Sequence, residues 1–300
     1  MFDTVKLALP IDDLEQAKGR LSNVKAHVDG EKVTFTGKMG PLRVKVSQSR
    51  FVVEGSLPTY CGKLTLSLEE MRACIARLSD AFGLDLASAK VWRLDTYADF
   101  VLSRPVADYL AHFLDGPRYC RVSYERTGKR YVLKWRHLVF YDKVAELKQK
   151  RGLVPAAWVD RHVLRFEMQM RSRPNRQLKL KVITFADLAD PAFRAHVAAR
   201  WQREYEGVEK KRTYVESVSV ETLKRDLHVA GLRAVGLDAV ETILASAQRR
   251  GAVSRDKRYR LRRWARATYN LDTRTALAPP IEELDSAVRE QHGRICAAKN

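Results

Sequence analysis

An α+β fold is predicted, with an antiparallel sheet and packed helices first and a mostly helical region after it. Three observations predict this. Short alternating runs of strand length crowd the first 60 residues and are separated by glycines. Segments with apolar residues at helical spacing then alternate with longer strand-like runs. After about residue 175 the strand signals fade and helical spacing takes over.

Taken in order, residues 4–9, Lys32–Thr36, Leu42–Val46 and Arg50–Glu54 read as short strands punctuated by Gly30, Gly37 and Gly40. Ser56-Leu57-Pro58 ends this run. Leu68–Phe82 places Met71, Cys74, Ile75, Leu78 and Phe82 on one helical face and stops near Gly83; Ser67 and Glu70 have capping-box spacing. Val91–Phe100 reads as a strand and Pro105–Leu114 as a second helix closed by Asp115-Gly116-Pro117. A hairpin is expected from Tyr119–Arg126, a Thr127-Gly128 turn and Arg130–Tyr141, followed by a basic helix over Asp142–Arg151. Val163–Arg171 alternates Val163, Arg165, Glu167 and Gln169 with Leu164, Phe166, Met168 and Met170, a half-buried strand with one polar face. From Phe185 to Ala247 the pattern is mostly helical, punctuated by Gly207, Gly231 and Gly236, and a short amphipathic helix follows Ala278-Pro279-Pro280. The expected division is an α+β domain over residues 1–180 and a helical, basic region over 181–300.

Charge narrows the function. Lys and Arg number 55 against 36 Asp and Glu, a formal charge of +19. Solubility does not require that excess, whereas a polyanionic partner does, because neutralising phosphates releases counterions. The basic residues are spread along the chain rather than gathered on one amphipathic helix, which disfavours a membrane surface. No run approaches the roughly 20 apolar residues that span a bilayer. Cys61, Cys74, Cys120 and Cys296 are scattered, never at CxxC spacing, and suit a reducing cytoplasm rather than a disulfide framework or structural zinc. There is no GxxxxGK[ST] loop for an ATPase or helicase engine, and no GxGxxG, HExxH or GxSxG. The seven histidines form no HxH pair, and His137 and His162 stand isolated.

Three features can carry chemistry. The first is the strand-to-helix junction Trp135 to Glu146. Period-2 alternation puts Trp135, His137, Val139 and Tyr141 on one face. A strand-end tyrosine two residues before Lys143 can present its hydroxyl to a phosphodiester, with a cation favouring the phenolate; such tyrosines also often simply pack with the hydroxyl in water. The second is a pair of acids on separate strands, Asp95 in Arg93-Leu94-Asp95 and Glu167 in Arg165-Phe166-Glu167. Two carboxylates on neighbouring strands can hold Mg²⁺ or Mn²⁺ with water and a substrate phosphate, or can serve only as Arg–acid pairs worth roughly 0.2–1 kcal/mol each. The third is the run Arg255 to Arg266, in which Arg255, Lys257, Arg258, Arg260, Arg262, Arg263 and Arg266 surround a single acid, Asp256, with Tyr259 and Trp264 among them. Such a segment tracks a phosphate backbone. Following the helical Leu237–Arg250 and Gly251, it suits a helix-turn-helix-like or winged module.

Several ordered segments over residues 1–175 resemble the replication initiators of filamentous phages, the gene II/X type, and more distantly the Rep_trans plasmid rolling-circle initiators. They are Met1-Phe2-Asp3-Thr4-Val5-Lys6, Gly55-Ser56-Leu57-Pro58, Trp92-Arg93-Leu94-Asp95, Phe140-Tyr141-Asp142-Lys143-Val144-Ala145-Glu146-Leu147 and Leu164-Arg165-Phe166-Glu167. The resemblance implies a ferredoxin-like nicking domain in a bacterial host's cytoplasm. Such a domain cuts one strand of a circular double-stranded origin and rejoins it through a 5′-phosphotyrosine, with host helicase and polymerase following. By position it implies Tyr141 as nucleophile and Lys143 as its electrostatic helper. Asp95, Glu167 and a possible third acid, Glu146, are implied as ligands of Mg²⁺ or Mn²⁺. An arginine that plasmid relatives carry two residues before the tyrosine is Val139 here, so Arg136 or Lys143 is expected to supply that charge. The competing class is a non-enzymatic origin-binding protein or repressor with the same charge, which does not need Tyr141, Asp95 and Glu167 to converge. Geometry separates the two: a nicking site requires the Tyr141 hydroxyl beside the space between those acids.

Overall fold

The computed structural model describes residues 1–12, 19–30, 32–114, 119, 121–125, 127–214, 220–269 and 275–297. The chain divides into two compact units, Met1–Lys210 with Pro279–Asn300, and Lys211–Ala278. The division therefore falls at residue 210 rather than near 180, and the C-terminal segment belongs to the sheet-bearing unit.

That unit is built on ten strands: β1 (Phe2–Pro10), β2 (Ser22–Asp29), β3 (Lys32–Met39), β4 (Leu42–Ser47), β5 (Arg50–Ser56), β6 (Lys90–Leu102), β7 (Arg121–Glu125), β8 (Gly128–Val132), β9 (Arg136–Asp142) and β10 (His162–Met170). They form one sheet in the order β2-β3-β4-β5-β1-β6-β10-β9-β8-β7, and each neighbouring pair is antiparallel. The α+β class and antiparallel sheet thus stand as expected. Two details differ. The run Arg130–Tyr141 is two strands, because a tight turn at Lys134-Trp135, closed by the Leu133 amide donating to the Arg136 carbonyl at 2.9 Å, folds β9 back on β8. β2, a strand that the sequence pattern does not announce, is exposed at all eight positions, so nothing imposed an apolar alternation on it.

Helices α1 (Leu57–Tyr60), α2 (Leu68–Phe82), α3 (Val106–Leu110), α4 (Lys143–Gln149), α5 (Pro174–Gln177) and α6 (Pro191–Glu206) complete the main run of this unit. α2 starts at the expected capping box: the Ser67 hydroxyl accepts from the Glu70 amide at 3.1 Å, and the Glu70 carboxylate accepts from the Ser67 amide at 2.8 Å. It ends at Gly83, whose φ of 63° is the left-handed conformation glycine adopts without strain. α3 is shorter than Pro105–Leu114 suggests. The chain leaves the helix when the Leu114 amide is drawn to the Glu209 carbonyl at 2.8 Å.

The second unit carries α7 (Val220–Val235), α8 (Leu237–Arg249) and α9 (Arg255–Tyr269), with a two-stranded ladder of β11 (Arg212–Tyr214) and β12 (Thr275–Leu277). α10 (Pro279–Ala297) then rejoins the first unit, where its Glu283 accepts from the Tyr109 hydroxyl at 2.5 Å.

The two faces of the sheet differ. Leu42, Val44, Val46, Phe51 and Val53 are buried on one, and Phe51 meets Phe82 of α2 edge to face at 4.8 Å. On the same side Phe140 and Phe166 stack at 4.4 Å, and Trp201 of α6 covers Phe166 at 5.0 Å. This aromatic layer fixes the register of β9, β10 and β6, and so the placement of every residue on the opposite, polar face.

Candidate active site

Antiparallel register sets the polar face out as a grid. Arg165 lies between Asp99 of β6 and Tyr141 of β9, Glu167 between Tyr97 and Val139, and Gln169 between Asp95 and His137. Of these, Asp95, Val139, Tyr141, Arg165, Glu167 and Gln169 line a cleft of about 620 Å³. α1 and the loop after it wall one side, through Pro58, Thr59, Lys63 and Leu64; α4 walls another through Lys143 and Glu146. The face reads as polar, but it is not open to water: Arg165 is 4% exposed, Glu167 8% and Asp95 2%.

The Tyr141 hydroxyl donates to Glu167 Oε1 at 2.7 Å. Gln169 Nε2 donates to the other Glu167 oxygen at 2.9 Å, which fixes the carboxylate plane. Arg165 is clamped by Asp99 through two bonds of 2.5 and 2.7 Å, and its remaining nitrogen lies 3.9 Å from Glu167 Oε1. Burial pushes the Tyr141 phenol well above its ordinary pKa; the Glu167 carboxylate adds to this and the Arg165 guanidinium opposes it. The tyrosine is therefore neutral at rest, with its proton already shared with a carboxylate.

Gly128 holds this tyrosine from the β8 side. It sits opposite Tyr141 in the ladder, and a Cβ there would come within 2.5 Å of the Phe140 carbonyl and 2.6 Å of the Tyr141 Cβ. The Asp142 amide donates to the Thr127 carbonyl at 2.9 Å, and the Asp142 carboxylate caps α4 by accepting from the Ala145 amide at 2.8 Å. The strand end and the helix start are thus tied together next to Tyr141.

Asp95 receives two bonds from Arg93, of 3.0 and 2.6 Å, while Arg93 also reaches Glu54 at 2.9 Å. Burial raises the Asp95 carboxyl, Arg93 pulls it back, and the carboxylates of Glu167 and Asp3 push it up again, to about 7. Asp3 is itself held by the Ser56 hydroxyl at 2.6 Å.

The expected residues separate into groups. Tyr141, Asp95 and Glu167 converge in one cleft, with Lys143 and Glu146 at its rim. Lys143 does not reach the tyrosine hydroxyl: its ammonium bonds Glu146 at 2.7 Å and lies 5.8 Å from the Tyr141 ring centre. Burial raises the Glu146 carboxyl, but Lys143 and Lys150 outweigh it and hold it below the usual carboxylate range. Arg136 faces the other side of the sheet and pairs with Glu204 of α6 at 3.0 Å. The cation beside the tyrosine is Arg165, directly opposite it on β10. The sequence showed Arg165 sharing a face with Glu167, but not the register that places it next to Tyr141. Of the other tyrosines of this hairpin, Tyr131 is fully buried and donates to the Leu114 carbonyl at 3.1 Å, and Tyr119 donates to the Gly207 carbonyl at 3.3 Å. The Tyr124 side chain lies outside the described residues.

The basic run 255–266 forms one helix, α9. Arg262 pairs with Glu241 of α8, Arg258 reaches Gln248 at 2.9 Å and Glu241 at 3.6 Å, and both therefore brace α8 against α9. Arg255, Lys257, Arg260, Arg263 and Arg266 are exposed, with Tyr259 and Trp264 also open to solvent.

Among the described residues, no group of three or more His, Cys, Asp or Glu side chains is placed to hold a metal ion. The donors that a hard divalent cation requires are nevertheless present as a pair, Asp95 and Glu167, with the Gln169 amide between. The Asp95 carboxyl is raised first by burial and then by the Glu167 and Asp3 carboxylates, against the pull of Arg93. Among the described residues, no helix is long and apolar enough to cross a membrane. The sequence matches no protein-family model and no curated protein.

Proposed function

We propose that the chain is a rolling-circle replication initiator that nicks one strand of a circular double-stranded origin and later rejoins it. The resemblance over residues 1–175 suggests the reaction, and the bond from the Tyr141 hydroxyl to Glu167 at 2.7 Å carries the reading. A nucleophile within hydrogen-bond reach of a base that a third group orients, here Gln169, is the arrangement covalent catalysis needs.

The Tyr141 oxygen attacks the scissile phosphorus, its proton passes to Glu167, and the bond from phosphorus to the 3′ oxygen breaks, with the leaving oxygen taking a proton from solvent. The new 5′ end stays joined to Tyr141 and the strand leaves with a free 3′-OH, which primes synthesis for host helicase and polymerase. Rejoining reverses these steps. The phosphotyrosine keeps the energy of the cut bond, which agrees with a chain lacking any nucleotide-binding loop. Arg165, locked by Asp99, faces the charge that develops on the phosphoryl oxygens. Asp95 and Glu167 would hold Mg²⁺ or Mn²⁺, which supplies Lewis-acid polarisation of a phosphoryl oxygen when bound. A ferredoxin-like nicking arrangement of the central strands, and phosphate binding by the exposed basic residues of α9, belong to the same reading.

The test is nicking of supercoiled DNA from the replicon that encodes the chain, with Mg²⁺ or Mn²⁺. Wild type should convert it to open circles with protein on the 5′ end, and Tyr141→Phe should not. Equal nicking by both removes Tyr141 from the mechanism. Tight origin binding by wild type without any nicking favours the non-enzymatic origin-binding reading.

A further inference from the structure

The polar face of the sheet does not end at the cleft. Directly opposed residues of an antiparallel sheet share a face, and the register carries one row outward from Arg93 through Lys6, Glu54 and Arg43 to Lys38. A parallel row runs Val52, Lys45, Thr36, Lys25. On β4 the alternation is clean: Leu42, Val44 and Val46 are buried beneath, while Arg43 and Lys45 are exposed above. Lys25, Lys38 and Arg50 are exposed on the same side.

Lys6 and Arg93 are paired with Glu54, at 3.3 and 2.9 Å. Lys25, Lys38, Arg43 and Lys45 pair with no acid among the described residues. A folded sheet gains nothing from unbalanced like charges on adjacent strands, which repel. Their surplus is explained by an anion with a repeating charge, laid across the strands. From β9 to β3 the sheet spans six strand steps, roughly 29 Å at ~4.8 Å each.

We propose that the outer face of β2–β5, through Lys25, Lys38, Arg43, Lys45 and Arg50, binds the phosphates of a single DNA strand running into the Tyr141 cleft. The proposal rests on the nicking reading for the identity of the polymer. Two observations favour an unpaired strand over a duplex. The Tyr141 hydroxyl lies inside a cleft of about 620 Å³, the size of a small-molecule pocket rather than of a duplex. Beside the rows, Trp92 is 38% exposed with the Arg50 guanidinium 5.2 Å from its ring centre, so an aromatic plane and a cation lie together, as base stacking on a single strand requires.

The probe is fluorescein-labelled oligothymidylate of about 16 nucleotides, a length that fills a typical single-strand site, titrated by anisotropy against the full chain at several salt concentrations. The triple variant Lys38→Ala/Arg43→Ala/Lys45→Ala should bind about tenfold or more weakly. Its plot of log K against log salt should flatten by about 2, at ~0.7 per lost phosphate contact. Lys38→Arg/Arg43→Lys/Lys45→Arg, which keeps the charges, should bind as wild type does, and circular dichroism of all three proteins should coincide. Tyr141→Phe should bind unchanged and lose the same amount when the three alanines are added. Unchanged affinity and slope in the alanine variant overturns the track even where nicking is intact. A weakened duplex of the same length with an unaffected single strand also overturns it. Weakened oligothymidylate binding by the alanine variant of a protein whose wild type never nicks leaves the track standing and removes the catalytic reading instead.

Discussion

Asp95 is 2% exposed and its carboxyl is held near pH 7, against an ordinary 3.8, because burial and the carboxylates of Glu167 and Asp3 outweigh the Arg93 guanidinium. Between about pH 4 and 7 the folded chain keeps a proton on Asp95 that the unfolded chain has released, so stability falls as pH rises through that window. The difference amounts to roughly 4 kcal/mol. Asp95→Asn removes the titration. Its amide NH₂ faces a guanidinium that needs an acceptor, which takes back about 1 kcal/mol at every pH, leaving the variant ~3 kcal/mol more stable than wild type at pH 8 and about 1 kcal/mol less stable below pH 4. Urea denaturation at pH 4, 6 and 8, followed by tryptophan fluorescence, reads this directly. Mg²⁺ or Mn²⁺ bound at Asp95 would relieve the same cost in wild type, by about 2.7 kcal/mol at a hundredfold excess over Kd, and should do nothing for the variant. A variant that is no more stable than wild type at pH 8, with the same pH slope, would show that Asp95 carries no such cost, and the argument for a cation site there would fall with it.

Four further outcomes follow from the same geometry. Glu167→Gln keeps the shape but cannot take the tyrosine proton, so nicking should fall by about 10²–10⁴-fold with DNA binding unchanged in anisotropy. Gly128→Ala should displace Tyr141 through its contact with the Tyr141 Cβ at 2.6 Å, lowering nicking far more than single-strand affinity. Arg165→Ala strands Asp99 without its two bonds and should cost about 3 kcal/mol in urea denaturation; Arg165→Lys should recover part of that stability. Arg255→Ala/Arg260→Ala/Arg263→Ala on α9 should flatten the salt dependence of duplex binding by about 2–3, at ~0.9 per contact, with nicking of a short single-stranded substrate intact.

The local pattern was enough for much of this architecture. The capping box at Ser67, the helical face of α2 and the strand over Val163–Arg171 are all set by neighbours in sequence and appear where the pattern places them, although that strand is buried on both faces rather than half-buried. Asp95, Glu167 and Tyr141 were legible as candidates because each ends a short strand motif. Their surroundings were not, because register between strands is decided by the aromatic layer of Phe140, Phe166 and Trp201, far apart in the chain. Arg165 faces Tyr141 and Asp3 approaches Asp95 only through that register. Arg136 was assigned to the site by nearness in sequence, yet strand parity turns it to Glu204 on the other face. The same parity argument would have excluded Arg136, while only the register of β9 against β10 brings Arg165 opposite Tyr141.

That exchange of cations changes how Tyr141 would work in the proposed reaction. Had Lys143 reached the Tyr141 oxygen, it would have stabilised a standing phenolate, a tyrosine reactive before any DNA arrived. Instead Lys143 is paired with Glu146, and burial, with the Glu167 carboxylate adding to it, raises the tyrosine pKa. In the proposed reaction the proton would leave only as the bond to phosphorus forms, passing to Glu167. Arg165 cannot act earlier either, since Asp99 occupies two of its nitrogens and leaves one directed towards the Tyr141–Glu167 pair. A strand entering the cleft brings the phosphate whose charge this nitrogen meets. A tyrosine that is neutral at rest suits the proposed reaction, in which it would stay inert towards solvent and react only with a docked phosphodiester.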